Sequence, residues 1–179
     1  DIKFVNYYMR KIFLILICSY LYSQDGIKTI HVYVTLADTY QGIKSSNQSL
    51  EDGSDLRTNQ YWGALYGIEQ YFNKSDNWKE IPTSTIRHNG CESEILDRII
   101  FKHTKENVYL VADAYSGNRK SSLATNDIFR GLSGHCKSTM TINDTLLGLD
   151  GNADLLVYVG HHFYGATNYI DNHNSKDDI

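Results

Sequence analysis

A run of five apolar or aromatic residues at Leu155–Val159 constrains the fold of this chain more than any other feature. Such a run fits a strand that is buried on both faces, as in a parallel sheet covered by helices. Gly160 ends the run, and His161 and His162 follow at once. Because open α/β sheets hold their ligands beyond the carboxyl ends of parallel strands, the sequence predicts a functional site at these histidines.

Strand and helix patterns alternate along the rest of the chain. Runs rich in β-branched and aromatic residues predict strands, and apolar residues at helical spacing predict helices. The predicted strands cover residues 28–37, 78–81 and 107–114, the predicted helices cover 60–72, 94–103 and 122–132, and a hairpin covers 139–142 and 145–147. This order favours an α/β fold with three layers, α/β/α, around a mainly parallel sheet with right-handed crossovers.

Several polar residues stand at the ends of these elements. Thr58 and Asn59 are suited to cap the helix at residues 60–72. Asp38 closes the first strand and Asp113 stands near the end of the strand at 107–114, so both are predicted to line the site. For Asp38, a solvated carboxylate of the long loop at residues 39–57 is the alternative interpretation.

The N-terminus has the pattern of a secretory signal peptide at residues 9–24. A basic start is followed by a short apolar run, a small residue and a polar segment. This pattern predicts that Met9 is the natural start, that residues 1–8 lie upstream of it, and that the protein is secreted or resides in the periplasm or cell envelope. Residues 25–170 are predicted to form one domain, truncated at its end, and 171–179 a polar tail. A buried N-terminal helix is the alternative for the apolar run.

Composition narrows the classes of partner. The 179 residues carry a net charge of −4, and no basic excess points to a nucleic acid. The apolar run near the N-terminus is too short to span a bilayer, so no stable membrane span is expected once the signal is removed. Cys91 and Cys136 remain in the mature chain and either pair, as exported cysteines often do, or stay as free thiols.

The two histidines suggest two kinds of chemistry. A histidine at a strand end can act as a general base that activates a nucleophile. A metal site is the alternative, since Asp171 and His173 follow within a dozen residues. Adjacent residues on extended backbone point in opposite directions, and the spacing matches no zinc motif. We therefore predict His161 as a catalytic base, and we predict no metal and no cofactor.

Two segments carry a resemblance to the caspase-like (clan CD) cysteine peptidases, which include caspases, metacaspases, legumains and gingipains. Residues 63–72 (GALYGIEQYF) are similar to the first helix of that fold, and Leu155–Val159 with Gly160 and His161 resembles the strand that delivers its catalytic histidine. The resemblance implies that His161 is the general base, that the backbone of residues 160–162 lies near the oxyanion site, and that the substrate is a protein or peptide. The chain is also similar to secreted bacterial proteins that have no assigned activity.

The chain departs from that family at two places. His162 stands where the family usually has glycine, and the family's cysteine lies at the end of the strand after the histidine, whereas Cys91 and Cys136 both precede His161. The resemblance therefore implies an N-terminal fragment of a caspase-like domain that lacks its nucleophile and is inactive as given.

Two other functions stay open. The first is a non-catalytic secreted α/β domain that binds a protein or glycan, which an exposed cluster of Tyr40, Tyr61 and Tyr164 would favour because tyrosine is common at interfaces. The second is a metal-dependent hydrolase built on the cluster of histidines and aspartates that begins at His161.

Overall fold

A computed structural model describes residues 26–38, 48–82, 94–118 and 122–161. These residues all belong to the predicted domain at 25–170. The predicted signal peptide and polar tail lie outside the described residues, as do His162, Asp171 and His173.

The described residues form seven strands, two α-helices and one short 3-10 helix. The strands are β1 (Lys28–Thr35), β2 (Trp78–Glu80), β3 (Asp97–His103), β4 (Val108–Tyr115), β5 (Lys137–Ile142), β6 (Thr145–Asp150) and β7 (Leu155–Val159). The helices are α1 (Ile68–Asn73) and α2 (Ser122–Leu132), and the 3-10 helix covers Gln48–Glu51. The predictions of β1, β2, β4, β7, α2 and the hairpin β5–β6 are confirmed.

Five of the strands form one mixed sheet in the order β2-β3-β4-β1-β7. β1 is parallel to both β4 and β7, whereas β3 is antiparallel to β2 and β4. β5 and β6 pair separately as a hairpin. The predicted α/β character is thus confirmed, as a mixed five-stranded sheet with few helices.

Each face of the sheet buries its own core. Inward residues such as Val32, Val34 and Phe101 pack on one face with Trp62, which is fully buried. The segment that covers this face runs from Leu56 to Phe72. Because side chains alternate along a strand, the intervening residues face the other side.

The second face is covered by α2 and by the hairpin. Tyr33 of β1 and Tyr115 of β4 pack with Ala124 and Ile128 of α2. Ile100 and Val111 pack with Leu147 and Leu149 of the hairpin, in a second cluster beside the one under α2.

The predicted helix at 60–72 is wrong over most of its length, because only Ile68–Asn73 is helical and the residues before it form turns. A Cβ at Gly63 would collide with the backbone oxygen of Leu56, and one at Gly67 with that of Trp62. The two glycines thus permit close folding of the chain on itself, where a helix on the sheet was expected. Glycine also lowers helix stability, by about 1 kcal/mol relative to alanine.

The predicted helix at 94–103 is also wrong, since Asp97–His103 is strand β3. Ile99 and Phe101 belong to the core on one face, and Ile100 belongs to the core on the other. Burial on both faces removes the alternation of apolar and polar residues that identifies a strand. The apolar spacing that remains imitates a helix.

The prediction that Leu155–Val159 is buried on both faces is wrong, although the strand itself is confirmed. Leu155 is 52% exposed, and the other four residues are half-buried. β7 is the last strand on its side of the sheet among the described residues, and it pairs there with β1. Its register, in which Val34 lies opposite Val159, fixes where His161 emerges.

Candidate functional site

The carboxyl ends of β4, β1 and β7 meet at one edge of the sheet because the three strands are parallel neighbours. Ser116 and Gly117 follow β4, Asp38 follows β1, and His161 follows β7. Ligands of open α/β sheets bind at this edge. We call the region of these residues the carboxyl edge.

His161 contacts Tyr61 at the carboxyl edge. The Tyr61 hydroxyl lies 3.2 Å from Nδ1 of His161, and the contact is partly buried. The two residues are 100 positions apart in the chain. A tyrosine hydroxyl can either donate or accept, so the tautomer of His161 decides the direction of this hydrogen bond. When the hydroxyl accepts from Nδ1–H, Nε2 is the basic nitrogen of the ring.

Glu51 adds a negative charge near the Tyr61 ring. Burial, and then the charge of Glu51, raise the pKa of Tyr61, so its hydroxyl keeps its proton at neutral pH. Glu51 is 3% exposed, and among the described residues its Oε1 has no hydrogen-bond partner. His161 therefore contacts a neutral Tyr61 hydroxyl in a partly buried environment near Glu51.

Asp38 holds a loop against the ends of β1 and β4. Its Oδ2 accepts a hydrogen bond from the Gly53 backbone N–H at 3.1 Å. The Gly53 carbonyl accepts from the Gly117 N–H at 2.9 Å and from the Ser116 hydroxyl at 3.2 Å. A Cβ at Gly117 would collide with the backbone oxygen of Leu36. Asp38 thus lies at the carboxyl edge, where it fixes the loop around Gly53 against the ends of β1 and β4.

Gly160 lies against the side chain of Tyr158. A Cβ at Gly160 would lie 2.5 Å from the Tyr158 hydroxyl and 3.1 Å from Cβ of Thr35. That hydroxyl donates to Thr35 Oγ1 at 3.3 Å, which joins β7 to the end of β1. A larger residue between β7 and His161 would therefore require the Tyr158 side chain to move. The oxyanion role of residues 160–162 stays a prediction, and His162 lies outside the described residues.

Asp113 belongs to a buried cluster on the face that α2 and the hairpin cover. Its carboxylate accepts two hydrogen bonds from Arg98, at 2.5 and 2.6 Å, and lies 2.9 Å from Nε2 of His31. Asp113 and His31 are fully buried, and Arg98 is 4% exposed. Burial raises the pKa of Asp113, but the hydrogen bonds and charge of Arg98, together with the hydrogen bond of His31, outweigh it and lower the pKa to about 2. The predicted role of Asp113 in lining the site is untested, and its contacts here stabilise the core.

The same cluster continues into the hairpin through Asp150. The Asp150 backbone N–H donates to Nδ1 of His31 at 3.0 Å, so the proton of the neutral ring is on Nε2, which donates to Asp113. The Asp150 carboxylate accepts from the Tyr33 hydroxyl at 2.6 Å and from Ser138. Burial, together with the hydrogen bond and charge of Asp150, raises the pKa of Tyr33. The sequence does not predict this network, because its residues lie on β1, β3, β4 and the hairpin, and no local sequence pattern links these elements.

The described residues contain no metal-binding cluster, and their one cysteine is in a disulfide. Among the described residues, no group of three or more His, Cys, Asp or Glu side chains could hold a metal ion. Cys136 is 1% exposed and disulfide-bonded. Cys91, with which Cys136 pairs in one of the two alternatives drawn from the sequence, lies outside the described residues, so the choice between those alternatives for Cys91 stays open.

Comparison of the chain with protein-family models, curated proteins and solved structures found no match in any of the three. Within the described residues, the helices lack the combined length and apolar character that crossing a membrane requires.

Proposed function

We propose that the chain forms part of a secreted caspase-like cysteine peptidase with His161 as its general base. The observation that carries this proposal is the contact between Nδ1 of His161 and the Tyr61 hydroxyl at the carboxyl edge. A general base that is itself oriented by a third group is the arrangement found around activated nucleophiles. We further propose a three-layer caspase-like arrangement, which the parallel order β4-β1-β7 and the packing on both sheet faces support.

In the proposed reaction, Nε2 of His161 takes the proton of a cysteine thiol, and the thiolate sulfur bonds to the carbonyl carbon of the scissile peptide. The carbon–nitrogen bond then breaks, and the leaving amine takes the proton from His161. Water, deprotonated by His161, hydrolyses the resulting thioester and regenerates the thiol. The thiol has to come from outside the described residues, because Cys136 is buried and disulfide-bonded.

The disulfide at Cys136 also supports the proposed location. Disulfides persist in secreted and periplasmic proteins and are rare where thiols are kept reduced. Export of the protein through the predicted signal peptide at residues 9–24 is consistent with this bond. A fusion of residues 9–24 to a reporter enzyme that is active only after export tests the signal; a reporter that stays inside the cell would contradict it.

The peptidase proposal is tested with the natural protein that contains this chain. Cleavage of a fluorogenic peptide library and labelling by a thiol-directed peptidyl probe are measured for the wild type and two variants. His161→Ala is expected to lower kcat/KM by at least about 100-fold, the usual contribution of a general base. The exposed His135 provides the matched control, and His135→Ala is expected to keep full activity. Full activity of His161→Ala, or no cleavage and no labelling by the wild type, would contradict the proposal.

The exposed side chains before and within α1 favour a second candidate, a binding domain. Leu65, Tyr66 and Tyr71 are 59%, 84% and 61% exposed and lie close together in the chain. Tyr61, one of the tyrosines first considered for such a surface, is half-buried against His161, and the other two, Tyr40 and Tyr164, lie outside the described residues. Binding to a glycan array that Tyr66→Ser and Tyr71→Ser together abolish would support this candidate, and binding that the double variant leaves unchanged would contradict it.

A further inference from the structure

Asn59 makes four hydrogen bonds with its side chain at the carboxyl edge. Its Oδ1 accepts from the backbone N–H of Ala37 at 3.0 Å and of Tyr61 at 3.1 Å. Its Nδ2 donates to the carbonyls of Ala37 at 2.8 Å and of Asp52 at 3.0 Å. A carboxamide has two donors and an oxygen that can accept twice, so the group is fully satisfied. The reverse orientation would point its NH₂ at two N–H donors, so only one orientation fits.

These bonds join the end of β1 to the segment that carries Tyr61. Ala37 follows β1 by two residues, and Asn59 binds both its N–H and its carbonyl. The bond from the Tyr61 N–H to the side chain two residues earlier forms a turn of the kind that Asn and Asp favour. The Asn59 carbonyl also accepts from the N–H groups of Trp62 and Ala64, which extends the turn. The backbone of Tyr61 is thereby fixed relative to β1.

The other end of Tyr61 contacts the neighbouring strand. β7 pairs with β1, and His161 emerges two residues after β7, where its Nδ1 is 3.2 Å from the Tyr61 hydroxyl. A closed path therefore runs from β1 through Asn59 and Tyr61 to His161 and back through the strand pairing. Asn59 is fully buried, and its amide joins Ala37, Asp52 and Tyr61 at the carboxyl edge.

We propose that Asn59 is a positioning residue for His161, acting through Tyr61 to keep the proton of the ring on Nδ1 and the lone pair on Nε2. This inference rests on the proposed function, since it assigns Asn59 a part in preparing the general base. A purely structural Asn59 would contribute to stability, but its replacement would leave the tautomer of His161 in the folded protein unchanged. The tautomer is therefore the readout that separates the two roles.

The test measures ring ¹⁵N shifts of His161 in the natural protein, labelled with ¹⁵N-histidine, at a pH where the ring is neutral. Tyr61→Phe, Asn59→Ser and Asn59→Asp are compared with the exposed control variants Tyr66→Phe and Asn73→Ser. We expect the Nδ1–H form in the wild type and both controls. In Tyr61→Phe and the folded Asn59 variants, we expect a shift toward the Nε2–H form that predominates in free histidine.

Two results would overturn the inference. Folded Asn59 variants that keep the wild-type tautomer while Tyr61→Phe changes it would make Asn59 purely structural. A wild-type tautomer in Tyr61→Phe would show that Tyr61 does not orient His161. Neither result depends on activity, so the peptidase proposal is judged separately by the His161→Ala assay.

Hydrogen exchange in the wild type covers the case in which every Asn59 variant unfolds. The amides of Ala37 and Tyr61 both donate to Asn59 Oδ1, so we expect them to exchange with similar protection. A Tyr61 amide that exchanges more than tenfold faster than that of Ala37 would contradict the link that Asn59 forms between these two amides.

Discussion

Removal of the Arg98 guanidinium from the buried cluster is expected to destabilise the protein strongly. In Arg98→Met, the carboxylate of Asp113 stays fully buried and loses two hydrogen bonds of 2.5 and 2.6 Å. Breaking a buried ion pair from one side typically costs about 3–5 kcal/mol, because the remaining charge is left uncompensated. Since the neutral Nε2–H of His31 still donates to Asp113, we expect the unfolding free energy to fall by about 3 kcal/mol, the lower end of that range.

The assay is urea unfolding at pH 7, followed by tryptophan fluorescence and far-UV circular dichroism. Arg57→Met is the matched control, because the Arg57 side chain is 88% exposed and its contact with Asp55 is 3.4 Å long. No measurable change is expected there. Asp113→Asn and the double variant Arg98→Met/Asp113→Asn are measured as well. The double variant removes both charges but keeps an acceptor for His31, so its loss should be smaller than the sum of the two single losses.

A loss of less than about 1 kcal/mol in Arg98→Met, the range of an exposed ion pair, would contradict this prediction. It is also refuted if the double variant loses as much as the two single variants added together. Either result would mean that the charges of Arg98 and Asp113 are not coupled in the folded protein.

Three further predictions concern the core and the carboxyl edge. Because the pKa of Asp113 is lowered from 3.8 to about 2, its contribution to the unfolding free energy, on the order of 2 kcal/mol, is complete above about pH 4 and is lost as the pH falls toward 2. The unfolding free energy of Asp113→Asn should therefore fall less than that of the wild type over this range. Gly117→Ala is expected to cost about 1–3 kcal/mol in urea unfolding, because its Cβ meets the Leu36 oxygen; unchanged stability would contradict that contact. Ile128→Ala, at 4% exposure, should cost about 2–4 kcal/mol, whereas Leu132→Ala, at 63% exposure, should cost far less, and equal losses would contradict the packing of α2.

Sequence reasoning identifies the elements whose local pattern and tertiary environment agree. β1, β4 and β7 are rich in β-branched and aromatic residues, and α2 has one buried face that contains Ala124 and Ile128. The sequence of β3 predicts a helix because burial of Ile99 on one face and Ile100 on the other hides the period of a strand. The apolar spacing at 60–72 predicts a longer helix than the structure has, because Gly63 and Gly67 disfavour helix before Ile68.

The candidate site was predictable in its position but not in its partners. The strand followed by Gly160 and His161 points to the carboxyl edge from local sequence alone. Tyr61 reaches His161 across 100 residues, and no local pattern encodes such a contact. The sequence predicts Asn59 as a helix cap, whereas in the structure its side chain forms a turn. Asparagine is favoured in both positions because its side-chain oxygen accepts from backbone N–H groups. The structure distinguishes them by showing that Asn59 binds Ala37.

The tautomer of His161 in the wild-type protein tests the central claim most directly. Long-range ¹H–¹⁵N correlation spectra of the histidine rings, recorded at a pH where His161 is neutral, report which nitrogen carries the proton. The proposed general base requires Nδ1–H to donate to the Tyr61 hydroxyl, which leaves Nε2 as the basic nitrogen. A ring protonated at Nε2, with the Tyr61 hydroxyl donating to Nδ1, would contradict the account.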